Sequence, residues 1–314
     1  MEALYRNFIR YLDAKRTVDD RALNKDVWGV FKREFTARHE QNAMPRLVEL
    51  GAGIGVMFER CVEWGLLGSC SYTAIDSMAD NMAEAERRLP KWCSIQGFSL
   101  ETLGSGRFLL RRGDAEIHLR LQTIDVFEFA ALEEQFHAWD VVIANAFLDL
   151  LDLPSSLPKL FKLLKPEGLF YFTINFDGGT TFQPTLDASL DEVVERLYHR
   201  TMDERITDGK PSGDSQTGRR LFGHLTRVGA TLLAAGSSDW VVFPGEHGYV
   251  ADEAYFLHFI IDTIGAALQG RPELNMTEFE EWVRARHEQI DEKSLIYIAH
   301  QLDFVGKGPS QTAD

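Results

Sequence analysis

Residues Val48 to Gly55 read VELGAGIG, an apolar run closed by an acid and followed by glycines at every second position, Gly51, Gly53 and Gly55, with Ala52 between the first two. This is the pattern of a strand leading into a tight ligand-binding loop. Glycine has no Cβ and tolerates positive φ, so such a loop turns sharply and lets a ligand touch bare backbone, while the next helix offers free N–H groups. A phosphate-binding P-loop needs Gly-x-x-x-x-Gly-Lys-Ser/Thr; no Lys or hydroxyl residue follows these glycines, and that reading fails. The dinucleotide fingerprint Gly-x-Gly-x-x-Gly wants its third glycine where Val56 stands, which weakens a nicotinamide reading. Glu49 tips the balance, because a carboxylate at the strand end repels a pyrophosphate and attracts a cation. The expected ligand carries positive charge.

S-adenosylmethionine (SAM), with its sulfonium and its ammonium, meets that requirement. Here the chain resembles the class I SAM-dependent methyltransferases, whose first motif is matched by Val48, Glu49, Leu50, Gly51, Gly53 and Gly55. The resemblance implies roles for residues further on. Asp76, closing the segment SYTAID, falls near the ~20-residue spacing expected of the carboxylate that grips ribose hydroxyls; capping a helix over Ser77 to Leu89 is its other available role. Ser77 and Met78 would then border the adenine. Asp125, with Val126 after it, would meet the adenine amino group or stand as an ordinary loop acid. In WDVVIANAF (Trp139 to Phe147), Asn145, Ala146 and Phe147 would line the cofactor and the methyl-transfer centre. Arg16 would pair with the cofactor's carboxylate or belong to a solvated helix face.

To hold these groups together, strands must alternate with helices in a doubly wound α/β fold. The expectation is a seven-stranded, mostly parallel sheet of the Rossmann-like methyltransferase type. Continuous apolar runs at Val141 to Ala144 and within LLKPEGLFYFTINF (Leu163 to Phe176) read as strands covered on both faces. Ala230 to Phe243 reads as a sixth strand and Ser294 to Gly306 as a seventh. Arg219 to Gly229 looks like the helix that precedes the sixth strand in UbiE-like and methyltransferase type 11/12 relatives. The domain is placed at 42–306, preceded by a helical cap over 1–41 and followed by a tail over 307–314. Within it, 97–120 carries a β-hairpin insertion, and 177–218 and 251–290 are substrate-side additions. Asp208 to Gly218, rich in Gly, Ser and Asp, reads as a mobile lid or a plain surface loop.

Methyl transfer from an activated sulfonium needs chiefly in-line positioning of the acceptor atom, and a base only where that atom must lose a proton. Tyr11, Phe147, Asn175, His199 and His258 are the candidate acceptor-binding residues. No His/Asp/Ser or Cys/His spacing singles out a catalytic base. Cys61, Cys70 and Cys93 contain no Cys-x-x-Cys pair, and no His-Glu-x-x-His occurs, so neither a disulfide framework nor a metal site is expected. The net charge of -15 over 314 residues argues against nucleic acid and anionic membranes as substrates. With no apolar leader, a cytoplasmic enzyme acting on a small molecule is expected, its oligomeric state open. Two rival classes share the same motifs: a SAM enzyme with chemistry other than methylation, and a non-catalytic SAM-binding module.

Overall fold

A computed structural model describes residues 2–39, 44–207 and 209–310, with no side-chain description for 2–7 and 39. The expected boundary at Gln41, the first lid residue Asp208 and tail residues 311–314 lie outside the described residues. Helices α1 (Glu2–Ala22) and α2 (Lys25–His39) lead into β1 (Arg46–Leu50), α3 (Val56–Glu63), β2 (Cys70–Asp76) and α4 (Ala79–Gln96). Strands β3 (Ser99–Gly104), β4 (Arg107–Arg112) and β5 (Ala115–Thr123) follow, then α5 (Val126–Ala131), β6 (Trp139–Asn145), α6 (Leu153–Phe161) and β7 (Leu164–Gln183). Next come α7 (Ala188–Asp203), the small hairpin β8 (Ile206–Thr207) and β9 (Lys210–Pro211), and α8 (Thr217–Arg227). The chain closes with β10 (Thr231–Ser237), β11 (Trp240–Val242), α9 (Glu253–Leu268), α10 (Met276–Asp291) and β12 (Ile296–Lys307).

The main sheet runs β10-β12-β7-β6-β1-β2-β5-β4-β3, with β11 also beside β12. Its centre, β5, β2, β1, β6 and β7, is parallel. Leu47, Val48, Val141, Val142 and Ile143 there are all buried, as befits strands covered by helices on both faces. One apolar layer unites the sheet with the N-terminal helices and with α9 and α10; the other packs α5, α6 and α8 on the opposite face. Chain order reverses between β1 and β6, which opens a crevice beyond their carboxyl ends.

The doubly wound α/β class is as expected, but the sheet has ten strands among the described residues rather than seven. The 97–120 insertion extends one edge, because β4 and β3 pair antiparallel in succession onto β5. At the other edge the expected sixth strand divides into β10 and β11, both pairing with β12. The break is a side-chain turn: Asp239 accepts from Ser237 Oγ at 2.6 Å and meets His300 Nδ1 at 2.7 Å, which bends the chain between the two strands. Strand β7 also outruns its expected end. Its Gly179 to Gln183 portion pairs with Ile296 to His300 of β12, so the segment after Phe176 begins as strand, not loop.

The substrate-side additions are helical and tied down by buried polar pairs. Arg286 of α10, fully buried, donates to Asp191 of α7 at 2.5 Å, and Trp282 Nε1 donates to the same carboxylate at 2.5 Å. Arg21 of α1 is ion-paired with the buried Glu253 of α9, which also accepts from Thr17 Oγ1 at 2.6 Å. All three cysteines are buried and free. No helix among the described residues is long and apolar enough to cross a membrane.

Candidate functional site

The glycine loop after β1 has the conformation its sequence requires. Gly51, Gly53 and Gly55 take φ of 64, 54 and 83°, the left-handed region open to glycine at no cost. The loop is pinned to β2 by two bonds, Ala52 N to Ile75 O at 2.9 Å and Gly53 N to Asp76 Oδ2 at 2.8 Å. A Cβ on Gly51 would lie 2.3 Å from Phe147 Cδ2, so the loop also admits the Phe147 ring edge against bare backbone.

A cavity of about 230 Å³ opens at the strand reversal, walled by this loop and by the ends of β2, β5 and β6. Of the residues expected at the cofactor, Glu49, Gly51, Ala52, Gly53, Asp76, Ser77, Met78, Asp125, Val126, Asn145, Ala146 and Arg16 line it, as does Phe147. Gly55 does not; it stands at the N-cap of α3 and turns the chain into that helix.

Glu49 is buried and accepts from Tyr72 Oη at 2.8 Å. Burial pushes its carboxyl up to about 8, against the opposing pull of the Tyr72 hydrogen bond and the Arg60 charge. A cation entering the cavity favours the ionised form of this carboxyl, and the two then attract. Asp76 is already engaged: Oδ2 accepts from Gly53 N, and Oδ1 from Met78 N at 2.8 Å and Asn81 Nδ2 at 3.1 Å. Burial pushes the Asp76 carboxyl above its ordinary range, and these three bonds pull the other way. A carboxylate offers about four lone-pair positions, so about one is left for a ligand hydroxyl. The two roles open from sequence are therefore both physically compatible, since Asp76 stabilises the start of α4 while facing the cavity. Asp125 behaves likewise, capping α5 through Phe127 N at 2.7 Å and Glu128 N at 3.2 Å from the cavity wall.

Asn145 Oδ1 accepts from Thr173 Oγ1 at 2.8 Å, and Ala146 beside it takes φ of 51°. A non-glycine residue there carries local backbone strain, of the kind held in place where the surroundings over-determine a site. Asn81, absent from the sequence expectation, lines the cavity with a buried Oδ1 that has no partner. Its helical position five residues past Asp76 was visible; its turn toward the cavity was not.

Three acceptor candidates lie away from this cavity. Asn175 is fully buried inside the sheet and donates to Leu302 O at 2.9 Å, because β12 covers it. His199 bonds Thr180 Oγ1 at 2.9 Å and packs edge-on to Phe176, on a separate surface from this cavity. His258 joins α9 to α10 through His287, with Nδ1 atoms 2.7 Å apart, and stands outside the cavity. Tyr11 lies on α1 next to the wall residue Leu12, its ring stacked on Phe259 and Phe256 at 4.2 and 5.6 Å.

Arg16 reaches the cavity wall but its guanidinium is ion-paired with Glu59 and bidentate with Glu63 at 2.8 and 2.9 Å. Of the two roles open to Arg16 from sequence, these ion pairs are those of a salt-bridged helix face. The neighbouring Lys15 is buried on the same wall, 3.1 Å from Asp19, whose other oxygen takes Trp240 Nε1 at 2.9 Å. Their i,i+4 spacing is legible in sequence, but which of two adjacent cations faces inward depends on how α1 is rotated.

No family model matches the chain, and no curated protein matches it. Solved structures do. The YcgJ protein from Bacillus subtilis is similar at 12% identity, covering 92% of this chain and 100% of that one with a TM-score of 0.47. A SAM-dependent methyltransferase from Methanosarcina mazei is similar at 10% identity, covering 88% and 97% with a TM-score of 0.45. Geranyl diphosphate C-methyltransferase from Streptomyces coelicolor, solved with Mg2+, geranyl diphosphate and S-adenosyl-L-homocysteine, is similar at 12% identity, covering 89% and 80% with a TM-score of 0.40. These likenesses concern the path of the backbone; the chemistry is set by the side chains described above.

Proposed function

We propose that this chain is a SAM-dependent methyltransferase that acts on a small-molecule acceptor. One observation carries the reading: a naked glycine turn lies between two acids, Glu49 and Asp76, that face one cavity at the strand reversal. The residues fit the cofactor. Asn81 Oδ1 is a buried acceptor without a donor, and Asp76 retains about one free lone pair, together matching two ribose hydroxyls. Glu49 would draw the positive end, Asp125 would lie at the adenine end, and Lys15 would receive the cofactor's carboxylate.

When bound, SAM supplies an electrophilic methyl group on a positively charged sulfur. The chain's own residues then have little acid-base work. The glycine loop fixes the donor's position through backbone contact, and the Asn145 to Phe147 corner shapes the face from which an acceptor approaches in line. A small acceptor is supported by the helical cover that α1 lays over the cavity and by the net charge of -15, which opposes a phosphate backbone. A cytoplasmic place of work belongs to the same proposal, since three buried thiols suit a reducing compartment.

Calorimetric titration with SAM tests the reading, followed by mass spectrometry of reactions with candidate acceptors. The expected result is one binding site, formation of S-adenosylhomocysteine and a product heavier by one methyl. Binding with no S-adenosylhomocysteine across acceptors would reduce the chain to a binding module, and absence of binding would overturn the proposal.

A further inference from the structure

Around Tyr11, next in sequence to the cavity-lining Leu12, polar side chains from well-separated parts of the chain come near one another, and Tyr11 and Tyr297 both pack against Phe256. Tyr11 comes from α1, Tyr198 from α7, Tyr297 from β12, Arg205 from just beyond α7, and Asp149 from the short turn after β6. The three tyrosine hydroxyls have no hydrogen-bond partner among the described residues. One carboxylate oxygen of Asp149 is buried and unpartnered. A buried oxygen in this state is better satisfied when a ligand hydroxyl reaches it, and that holds for Asp149 Oδ1.

The groups feel one another. Burial pushes the Tyr11 hydroxyl well above its ordinary range, and Asp19, Tyr297, Tyr198 and Asp149 add to the effect. Burial likewise raises the Asp149 carboxyl, with its own backbone N–H and then Arg205 and Lys15 opposing. Gly213 locates Arg205 directly: a Cβ there would lie 3.2 Å from Asp149 O and 3.4 Å from Arg205 Nη1. The cluster shares its wall with the cofactor cavity, since Leu12, Lys15, Phe147 and Leu150 line that cavity and flank Tyr11 and Asp149 in sequence or charge.

We propose that this cluster is the acceptor site, that it takes a hydroxylated aromatic small molecule, and that Asp149 accepts the proton of the hydroxyl to be methylated. This inference rests on the SAM reading above. Lys15 and Arg205 offset the Asp149 charge, which removes the net negative field a cationic amine would need. A neutral hydroxyl, by contrast, must lose its proton as it attacks, and a carboxylate with a free oxygen is suited to receive it. Tyr11 is held in an aromatic stack with Phe8, Phe256 and Phe259, and Phe147 lines the cavity, so the surroundings suit an aromatic body. In the step, the acceptor oxygen bonds to the sulfonium methyl carbon as its proton passes to Asp149. The carbon–sulfur bond breaks, its electron pair stays on sulfur, and the products are a methyl ether and S-adenosylhomocysteine.

Resorcinol and 1,3-dimethoxybenzene are suitable probes, since they share an aromatic body and differ in having O–H groups to donate. Calorimetry on the wild-type chain with S-adenosylhomocysteine present should show resorcinol binding at least about tenfold more tightly. Asp149→Asn should lower resorcinol methylation by about a hundredfold or more while SAM affinity stays within about twofold, and Asp149→Glu should recover part of the rate. Equal binding of the two probes, no resorcinol binding, or an Asp149→Asn variant with undiminished turnover would overturn the inference. Failure of the cofactor reading looks different: SAM would not bind at all, while resorcinol binding that still depended on Asp149 would keep the acceptor cluster.

Discussion

The two halves of the site are built by different means. On the cofactor side the backbone does the positioning, through three left-handed glycines, strand register between β1, β2 and β6, and two main-chain ties from the loop to β2. On the side proposed for the acceptor, α1, α7, α9 and α10 are held by side-chain pairs between distant positions, Arg286 with Asp191, Arg21 with Glu253 and Trp240 with Asp19. The turn at the heart of the first arrangement is written in eight consecutive residues. The second exists only when remote segments meet, which makes it the more adaptable half and the more vulnerable to a single lost partner.

The largest effect expected from breaking this contrast is in the helical half. Asp191→Ala leaves the buried Arg286 guanidinium without its carboxylate and should cost about 3–5 kcal/mol in denaturant unfolding. SAM affinity should persist wherever the variant remains folded; loss of both together would mean the halves are not separable. Next is Gly51→Ala, which puts a Cβ 2.3 Å from Phe147 and forces φ of 64° on a non-glycine residue. The fold should lose about 1–2 kcal/mol, whereas SAM affinity should fall by about a hundredfold or more in calorimetry. Gly113→Ala, also at positive φ but facing open space, should leave affinity unchanged.

Glu49→Gln should weaken SAM binding about tenfold, an order of magnitude in keeping with one lost charge interaction. The pH dependence is the sharper readout. In the folded chain Glu49 stays protonated up to about 8, whereas unfolded it ionises near 4.5, so the folded state holds the extra proton between those values. Its contribution to stability therefore falls as pH rises from about 4.5 to about 8. Unfolding experiments should find Glu49→Gln gaining on the wild type over that window. An entering cation favours the ionised form, so wild-type affinity should rise toward pH 8 with proton release, and the variant should lose both trends.

The smallest effects separate Lys15 from Arg16. Lys15→Met should lower SAM affinity by about tenfold, through loss of the buried cation on the cavity wall. Arg16→Gln should leave affinity unchanged and cost more in denaturant unfolding than a surface pair would, because the buried Glu59 then keeps only Arg88 as its cation. A larger affinity loss at Arg16 than at Lys15 would reverse the assignment.

How far the site was legible follows the same division. The glycine loop, Asp76, Asp125 and the Asn145 corner could be placed from sequence because strand ends and tight turns are local events with fixed residue demands. Asp76 and Asp125 also show why capping and ligand binding are poor alternatives: each carboxylate has lone pairs enough for both. His199, His258 and Asn175 were chosen for their chemistry and their position after the relevant strands, and the fold put each against a different partner. Asp149, Tyr198 and Tyr297 carried no local signal at all.

The sequence by itself determined the α/β class and the glycine turn with an acid on either side of it, since these rest on neighbouring residues and on periodicity. Only the tertiary structure decided the ten-stranded sheet, the inward-facing cation of α1 and the polar cluster beside the cavity. The physical reason is that edge pairing, helix rotation and the meeting of side chains from α1, α7 and β12 depend on packing between segments far apart in the chain, which no local pattern encodes.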